Sequence, residues 1–360
     1  MKAIIFAGGV GTRLWPISRK NAPKQFEKIS GDKSTLQLAV DRLYPDFNSD
    51  EIYVSTGEKY KDIIFEQLPQ IPKENFIFEP EVRDVGPAVA VACAIVGKNA
   101  PNEPIAIVWS DHFVKKERRF REVLQFAEEL VNENPSSLIF IGQRARFANQ
   151  NIGWLEFGKE VKTIRNTKIF KFERLVYRPS MEDAQRFLES DSFAWNPGYF
   201  ITTPGFVLDN FKKSAPSIYE GVKKIQNAYG TPDFENVMKV EYPKLEKISF
   251  DNAVLEKIDP NDVLVIAADL GWSDVGAWEA LKEALQIESS ENVTRGKVLL
   301  TDSSDNLVFN YTDQLTTGID LNGMVIINTD DVLLICNKDS VPKIKKLVES
   351  FAGTENEKLT

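Results

Sequence analysis

Residues 3–28, AIIFAGGVGTRLWPISRKNAPKQFEK, constrain the fold of this 360-residue chain more than any other stretch. Ala3 to Ala7 is an apolar run that runs straight into Gly8, Gly9 and Gly11. A short apolar run bounded by glycines fits a buried first strand. Glycine turns tightly and lets a ligand approach the backbone. Successive free N–H groups in such a turn form a concavity that binds anions. Arg13, Arg19, Lys20, Lys24 and Lys28 follow against one acid, Glu27. A glycine turn with local cations points to a polyphosphate; a plain strand-to-helix turn is the alternative. Counting excludes two common phosphate loops. The dinucleotide fingerprint would need glycine at Leu14, and the Walker A loop would need glycine at Arg13.

The string Gly8-Gly9-Val10-Gly11-Thr12-Arg13-Leu14-Trp15-Pro16, ending in Pro23-Lys24-Gln25-Phe26, resembles the signature of the sugar-1-phosphate nucleotidyltransferase family. In its longer form it is similar to the mannose-1-phosphate guanylyltransferase branch. The resemblance implies that Gly8, Gly9, Gly11 and Thr12 hold the nucleotide. It implies catalytic roles for Arg13, against the departing phosphates, and Lys24, near the α-phosphorus or the sugar phosphate.

Composition narrows the class. With 42% hydrophobic and 27% charged residues the chain reads as an ordinary globular protein. No apolar run reaches ~18 residues, so no membrane span is expected. The start, a short apolar run ending in glycines, is not expected to be a signal peptide. A net charge of −9 argues against a nucleic-acid surface. Cys93 and Cys336 stand apart, which makes neither a disulfide framework nor a zinc site and points to a reducing cytoplasm. His112 is the one histidine, so no multi-histidine metal site is expected. Longer members of the family carry a fused isomerase module with a metal-binding cupin; neither the length nor the histidine content here is expected to supply it.

Strand–helix alternation over the first hundred residues predicts a parallel-rich, three-layer α/β sheet. Ser34 to Gln37 reads as a capping box opening a helix. Strands are expected at 51–56 and 76–78, with a helix at 59–68 between them. The turn after the third of these strands, Glu79-Pro80-Glu81-Val82-Arg83-Asp84-Val85-Gly86-Pro87, lies where open α/β sheets bind ligands. On residues alone it is also the polar entry loop of a buried helix, 88–96. It resembles the family's nucleobase loop, with Asp84, Val85 and Gly86 in place of Asn, Thr and Ala. Glu79, Arg83, Asp84 and Gly86 are its implied nucleotide-binding residues.

A further apolar run, 105–110, delivers Asp111 and His112. An Asp at a strand end suits a metal ligand and equally a cap or turn. The family reads P-A-D-H here and its Asp binds metal; Trp109 and Ser110 depart from that pattern. His112 is read as structural or as a support to the neighbouring metal ligand, over the alternative of a catalytic base, because a phosphate nucleophile is already ionised and requires no base. Helices are expected at 117–131, 180–188 and across 204–247, and strands at 138–142 and 263–268. Ile152-Gly153-Trp154-Leu155 sits where the family has a segment lining the sugar pocket; a strand with a glycine bulge is the other reading. Tyr177-Arg178-Pro179 stands where the family has E-K-P, so a cation is kept with altered geometry and a carboxylate is lost. Trp195-Asn196-Pro197-Gly198-Tyr199-Phe200 keeps the Trp, Asn, Gly and Phe of W-N-S-G-x-F, and Ser249 to Lys257 resembles S-I-D-Y-A-V-M-E-K. Gly153, Trp154, Arg178, Asn196 and Glu256 are therefore the implied sugar-phosphate residues. Gly271-Trp272-Ser273-Asp274-Val275-Gly276-Ala277-Trp278 matches the family motif throughout, and Asp274 is the implied second metal carboxylate beside Asp111.

From 298 onward, short strands separated by Asp, Asn and Gly predict a small β-domain or a set of solenoid turns, followed by a helix at 339–351 and frayed residues 353–360. The expected architecture is a Rossmann-like, GT-A-like three-layer nucleotidyltransferase domain over 1–288. A small C-terminal β-rich domain occupies 289–360; the family's tail is often a left-handed β-helix used in dimer contacts. The resemblance implies transfer of GMP from GTP to mannose 1-phosphate with Mg2+ on Asp111 and Asp274, in the cytoplasm, and a homodimer as the assembly. Another sugar or base, a non-catalytic paralogue, and a glycosyltransferase are the alternatives; the last is disfavoured because Asp111-His112-Phe113 lacks the second Asp of D-x-D.

Overall fold

The first strand, Lys2–Phe6, lies inside a mixed sheet whose parallel part surrounds it. The computed structural model describes residues 1–9, 14–19, 23–29 and 31–360. Among these, nine strands form one sheet in the spatial order Phe76–Glu79, Ile52–Gly57, Lys2–Phe6, Ile105–Trp109, Phe193–Thr202, Leu138–Gln143, Val263–Ala268, Thr167–Val176, Gly153–Ile164. The first four are mutually parallel. Leu138–Gln143 and Val263–Ala268 form a second parallel pair. Phe193–Thr202 runs antiparallel between the two blocks. From Lys2–Phe6 the chain moves outward by two strands, then returns to the other side at Ile105–Trp109, which makes a switch point between the first and fourth strands of the sequence.

Layering follows from the period of two along a strand. Tyr199 meets Phe120 of the helix Glu117–Glu133. The next residue, Phe200, points to the opposite face, stacks on Phe250 and joins the cluster that holds the helix Val85–Val96. That helix is buried from Gly86 to Val96, so it is apolar all round. The helices Pro204–Ser214 and Pro216–Ala228 pack against it. The sheet therefore has helices on both faces, as expected. It is less parallel than expected, because the hairpin Gly153–Ile164/Thr167–Val176 and the strand Phe193–Thr202 all enter antiparallel.

The chain separates into two compact units. The sheet and its helices make up one, Met1–Gly8, Ala39–Ser110 and Lys116–Leu270. The other is Gly9–Leu38, Asp111–Lys115 and Gly271–Thr360. In this second unit Val293–Arg295, Leu307–Asn310 and Met324–Asn328 are parallel, and Val298–Thr301 pairs with Thr316–Ile319 in the same sense. Asn306 Oδ1 accepts from the backbone of Met324, and Asn328 Nδ2 donates to Asn310 Oδ1, each across 18 residues. The coil from Leu307–Asn310 to Met324–Asn328 is thus 18 residues long, and buried asparagines satisfy the backbone at its corners. Leu333–Asn337 then returns antiparallel and covers the last parallel edge. The core of this unit joins Leu14, Trp15, Trp278, Leu307, Phe309 and Val325.

Two expectations are corrected. The helix at 339–351 is a 3-10 segment, Lys338–Lys343, before a short α-helix, Ile344–Glu349, because Pro342 sits inside the first part. Residues 353–360 are not frayed: Glu355–Leu359 forms a 3-10 turn, and Trp15 Nε1 donates to Leu359 O at 2.7 Å. No helix among the described residues is long and apolar enough to cross a membrane.

Candidate active site

Within the second unit three of the expected groups converge. Pro23 leads into a 3-10 turn, Lys24–Phe26, which presents Lys24. Lys24 Nζ lies 2.8 Å from Asp111 Oδ2 and donates to the backbone carbonyl of Asp274 at 3.4 Å. A two-stranded ribbon explains the meeting. Phe113–Val114 pairs antiparallel with Trp272–Ser273, with Ser273 opposite Phe113. Asp111, just before one strand, and Asp274, just after the other, are thereby brought to the same end. Val275 takes φ +41° in the turn that follows, and Gly276 donates its N–H to Asp274 Oδ1 at 3.3 Å. His112 sits edge-on to Trp272, with ring centroids 5.2 Å apart, which is a packing role.

The Asp111 side chain is 27% exposed. Burial pushes its carboxyl up, but the charges of Lys24 and His112 and the hydrogen bond from Lys24 outweigh it and hold the group below the usual carboxylate range. Lys24 thus marks a place where positive charge is stabilised by oxygen. Among the described residues no group of three or more His, Cys, Asp or Glu could hold a metal. A carboxylate and a carbonyl already stabilising a local cation, with a second carboxylate on Asp274 in the adjoining turn, fit a hard divalent ion that takes its remaining ligands from phosphates and water.

Gly9 is fastened beside these groups. Gly9 has φ +96°, and its carbonyl accepts from Gln25 Nε2 at 3.2 Å. Gln25 is fully buried. It was not expected as a site residue, although the string Pro23-Lys24-Gln25-Phe26 contained it. Trp15 O accepts from Trp278 Nε1 at 2.9 Å, and both Arg19 Nη atoms reach Asp331 at 2.7 Å. The hydrogen bond from Arg19 holds the Asp331 carboxyl down to about 2. Arg295 donates to the carbonyls of Lys28 and Gly31. Gly11, Thr12 and Arg13 lie outside the described residues; Gly8 ends the first unit's opening segment.

In the first unit, the loop after Phe76–Glu79 is shaped by its own contacts. Glu79 accepts from Tyr242 Oη at 2.5 Å and Ser55 Oγ at 3.2 Å, so both oxygens are engaged; burial pushes its carboxyl up against those two bonds. Asp84 has φ +68° and caps the helix by accepting from Val85 N. Gly86 donates its N–H to Ile248 O, and a Cβ there would lie 2.6 Å from that oxygen. Glycine in place of the family's alanine is therefore a packing requirement. Arg83 pairs with Glu81 at 3.0 Å.

Of the expected sugar residues, Gly153, Trp154 and Asn196 lie together on two paired strands of the same unit. Gly153 and Asn196 are directly paired across two antiparallel strands. Between Ile141 and Gln143 the register to Phe193–Thr202 shifts, so the chain bulges at Asn196-Pro197-Gly198. Bulges re-aim side chains. Here Asn196 Oδ1 accepts from Gly198 N at 2.9 Å, and Nδ2 has no hydrogen-bond partner among the described residues. Gly198 takes φ +75°, its carbonyl accepts from Trp109 Nε1 at 3.0 Å, and a Cβ on it would lie 2.6 Å from that nitrogen. The departure at Trp109 thus has a structural reason: its indole fixes the bulge. Gly198→Ala is expected to cost about 1–3 kcal/mol of stability, the scale of one strained backbone position, read as a lower midpoint in urea unfolding.

Arg178 is exposed, has φ +47°, and lies 5.1 Å from the Tyr177 ring centroid. It has no ion-pair partner among the described residues. Glu256 is exposed and accepts from Asn252 Nδ2. Trp154 is a core residue: it is fully buried, donates to Asn149 O, and packs edge-on to Phe187 and Trp195. Its ring has no face open to a ligand.

Comparison with known proteins shows the family and the fold. A family model described as nucleotidyl transferase matches residues 2–291, and one described as MannoseP isomerase/GMP-like beta-helix domain matches 296–351. Mannose-1-phosphate guanylyltransferase 2 of Escherichia coli O157:H7 is 31% identical over 355 residues, spanning 96% of this chain and 72% of its own. Mannose-1-phosphate guanylyltransferase of Salmonella muenchen is 31% identical over 363 residues, spanning 98% and 74%. The crystal structure described as mannose-1-phosphate geranyltransferase from Thermus thermophilus superposes with a TM-score of 0.86 at 24% identity, over 97% of this chain and 98% of that one, which shows a common fold. The chain belongs to the nucleotidyl transferase family, within its mannose-1-phosphate guanylyltransferase branch. Enzymes of this family act on a nucleoside triphosphate and a sugar 1-phosphate and generally use a divalent metal.

Proposed function

We propose that the chain transfers GMP from GTP to mannose 1-phosphate, giving GDP-mannose and pyrophosphate. A phosphate oxygen of the sugar attacks the α-phosphorus in line as the bond to the β-phosphate oxygen breaks; the electron pair leaves with pyrophosphate. No base is required, so positioning and charge neutralisation supply the catalysis. Lys24 neutralises charge at the α-phosphorus, Arg13 the departing phosphates, and the backbone of Gly8, Gly9, Gly11 and Thr12 the polyphosphate. Asp111 and Asp274 would hold Mg2+, which when bound screens charge on the phosphate oxygens. Glu79, Arg83, Asp84 and Gly86 form the nucleobase loop, with Glu79 and Gly86 shaping it through Tyr242 and Ile248. Asn196, Arg178, Glu256, the backbone of Gly153 and, by its packing, Trp154 form the sugar-phosphate side. Residues 1–288 are taken as the catalytic domain and 289–360 as the C-terminal domain of a cytoplasmic homodimer, for which the exposed Leu299 and Ile319 offer an apolar face.

The observation that carries this reading is Lys24 between Asp111 and the Asp274 carbonyl, in a chain whose relatives of this name match nearly end to end. A pyrophosphate-release screen of four nucleoside triphosphates against several sugar 1-phosphates tests it. GTP with mannose 1-phosphate is expected to lead; a lead by another pair would replace that substrate in the reading.

Tyr177-Arg178 in place of E-K favours a second reading, a relaxed hexose preference, with glucose 1-phosphate turned over measurably. An unpaired guanidinium can still grip the sugar's phosphate bidentately. Arg178→Ala is expected to raise the sugar-phosphate KM roughly tenfold, the low end for a charged hydrogen bond at an exposed site. The GTP KM should stay nearly constant. Both constants, measured side by side, decide it; a larger effect on GTP would place Arg178 at the nucleotide.

A further inference from the structure

The parallel pair Leu138–Gln143 and Val263–Ala268 gives the first unit a second set of adjacent carboxyl ends, and a cleft of about 930 Å³ opens there. Open α/β sheets bind ligands outside the carboxyl ends of their parallel strands. The cleft contains none of the residues assigned above to nucleotide, metal or sugar. Its charged lining is Lys116, Arg119, Arg144 and Lys168 against Asp191 and Asp269. A local excess of cations in a chain of net charge −9 is a departure from the surface average.

The lining is built rather than incidental. Gln143 is fully buried, and its amide ties the two loops together. Nε2 donates to Arg144 O at 2.8 Å and to Asp269 Oδ1 at 3.1 Å, while Oε1 accepts from Leu270 N at 2.9 Å. Arg119 is held by Thr167 Oγ1 at 2.7 Å and by Glu122. Lys116 pairs with Asp269. Arg144 is different: its side chain is exposed and has no hydrogen-bond or ion-pair partner among the described residues. One fixed guanidinium on the helix Glu117–Glu133 and one unpaired guanidinium on a loop that a buried amide immobilises match the forked geometry that phosphate oxygens accept.

We infer that this cleft is a second anion site that binds a phosphate-bearing small molecule, with Arg144 as the principal contact and Arg119 and Lys116 beside it. It goes beyond the transfer reaction and does not depend on it.

The test is calorimetric titration of the full chain with inorganic pyrophosphate in the absence of divalent metal, repeated with GMP. Lys24→Ala removes a contact from the reaction site and should leave one equivalent of pyrophosphate bound. Arg144→Glu should weaken that equivalent tenfold or more, and Arg144→Ala should weaken it in the same direction by less. Arg174→Glu, an exposed charge reversal outside the cleft, should change it by less than twofold. Tighter GMP than pyrophosphate identifies a phosphate ester as the ligand class, and the reverse identifies a free polyphosphate. Loss of all binding in Lys24→Ala overturns the inference, as does equal weakening by Arg144→Glu and Arg174→Glu. GDP-mannose formation by Arg144→Glu should stay within twofold of the parent; a loss of turnover with an unchanged melting temperature would assign the cleft to the reaction site and overturn its separateness. A chain that fails the substrate screen but keeps the Arg144-dependent equivalent would separate the two conclusions.

Discussion

Asp111→Asn should lower kcat by roughly 10²–10³, the cost of losing one preorganised electrostatic group, and Asp274→Asn should do the same. The folded structure supplies the reason for a clean result. Asp111 sits next to a strand end, and its closest charged contact is the Lys24 ammonium at 2.8 Å. An asparagine Oδ1 can still accept from that ammonium, so the geometry persists while the charge goes. Asp274 takes part in a turn through Oδ1 and Gly276 N, which an asparagine can also maintain. Loss of turnover should therefore come with a near-parental melting temperature. The discriminating measurement is kcat across a magnesium titration: each variant should need more metal and still plateau low. Parental kcat with unchanged metal dependence in either variant would remove that carboxylate from the metal site.

Lys24→Ala should reduce kcat/KM by a similar roughly 10²–10³-fold, and Lys28→Ala by no more than about twofold, as for a screened surface charge. Both are loop lysines close in sequence, so composition alone would predict equal effects. The structure separates them: the Lys24 side chain is 12% exposed and wedged between a carboxylate and a carbonyl, whereas Lys28 is exposed. Removing Lys24 also leaves Asp111 without its cation, so the metal affinity of the free protein should rise as turnover falls. That opposition is specific to Lys24. Equal, modest losses from both alanines, with no change in metal affinity, would reduce the loop to a diffuse electrostatic attraction.

What was legible in the sequence was local. The Ser34–Gln37 capping box forms as read, with Ser34 N on Gln37 Oε1 at 2.9 Å and Gln37 N on Ser34 Oγ at 3.2 Å. Val263–Ala268 has the expected bounds, since an apolar run between turn residues needs no long-range information. The motif residues Lys24, Asp111 and Asp274 were visible because their spacing belongs to a signature. Groups that hold the loops in shape were not: Gln25 donates to the carbonyl of Gly9, Trp109 to that of Gly198, and Tyr242 to the carboxylate of Glu79, pairings that no local pattern announces. The hairpin Gly153–Ile164/Thr167–Val176 was only partly legible, because its outer half is exposed and charged, and its pairing is set by register rather than by hydrophobic pattern. Trp154 was ambiguous: a Trp beside a glycine fits a ligand wall and a core equally until burial is known.

The fastening of Trp15, Arg19, Lys28 and Gly31 has a consequence for how the tail can evolve. Trp278 and the carbonyl of Leu359 grip Trp15, Asp331 grips Arg19, and Arg295 grips the carbonyls of Lys28 and Gly31. The β coils and the segments flanking them therefore act as a jig that sets these N-terminal residues, rather than trailing behind the rest of the chain. A tail exchanged from a distant relative would detune the loop even if it folded well, and drift in the coils is constrained by chemistry carried out at the opposite end of the chain.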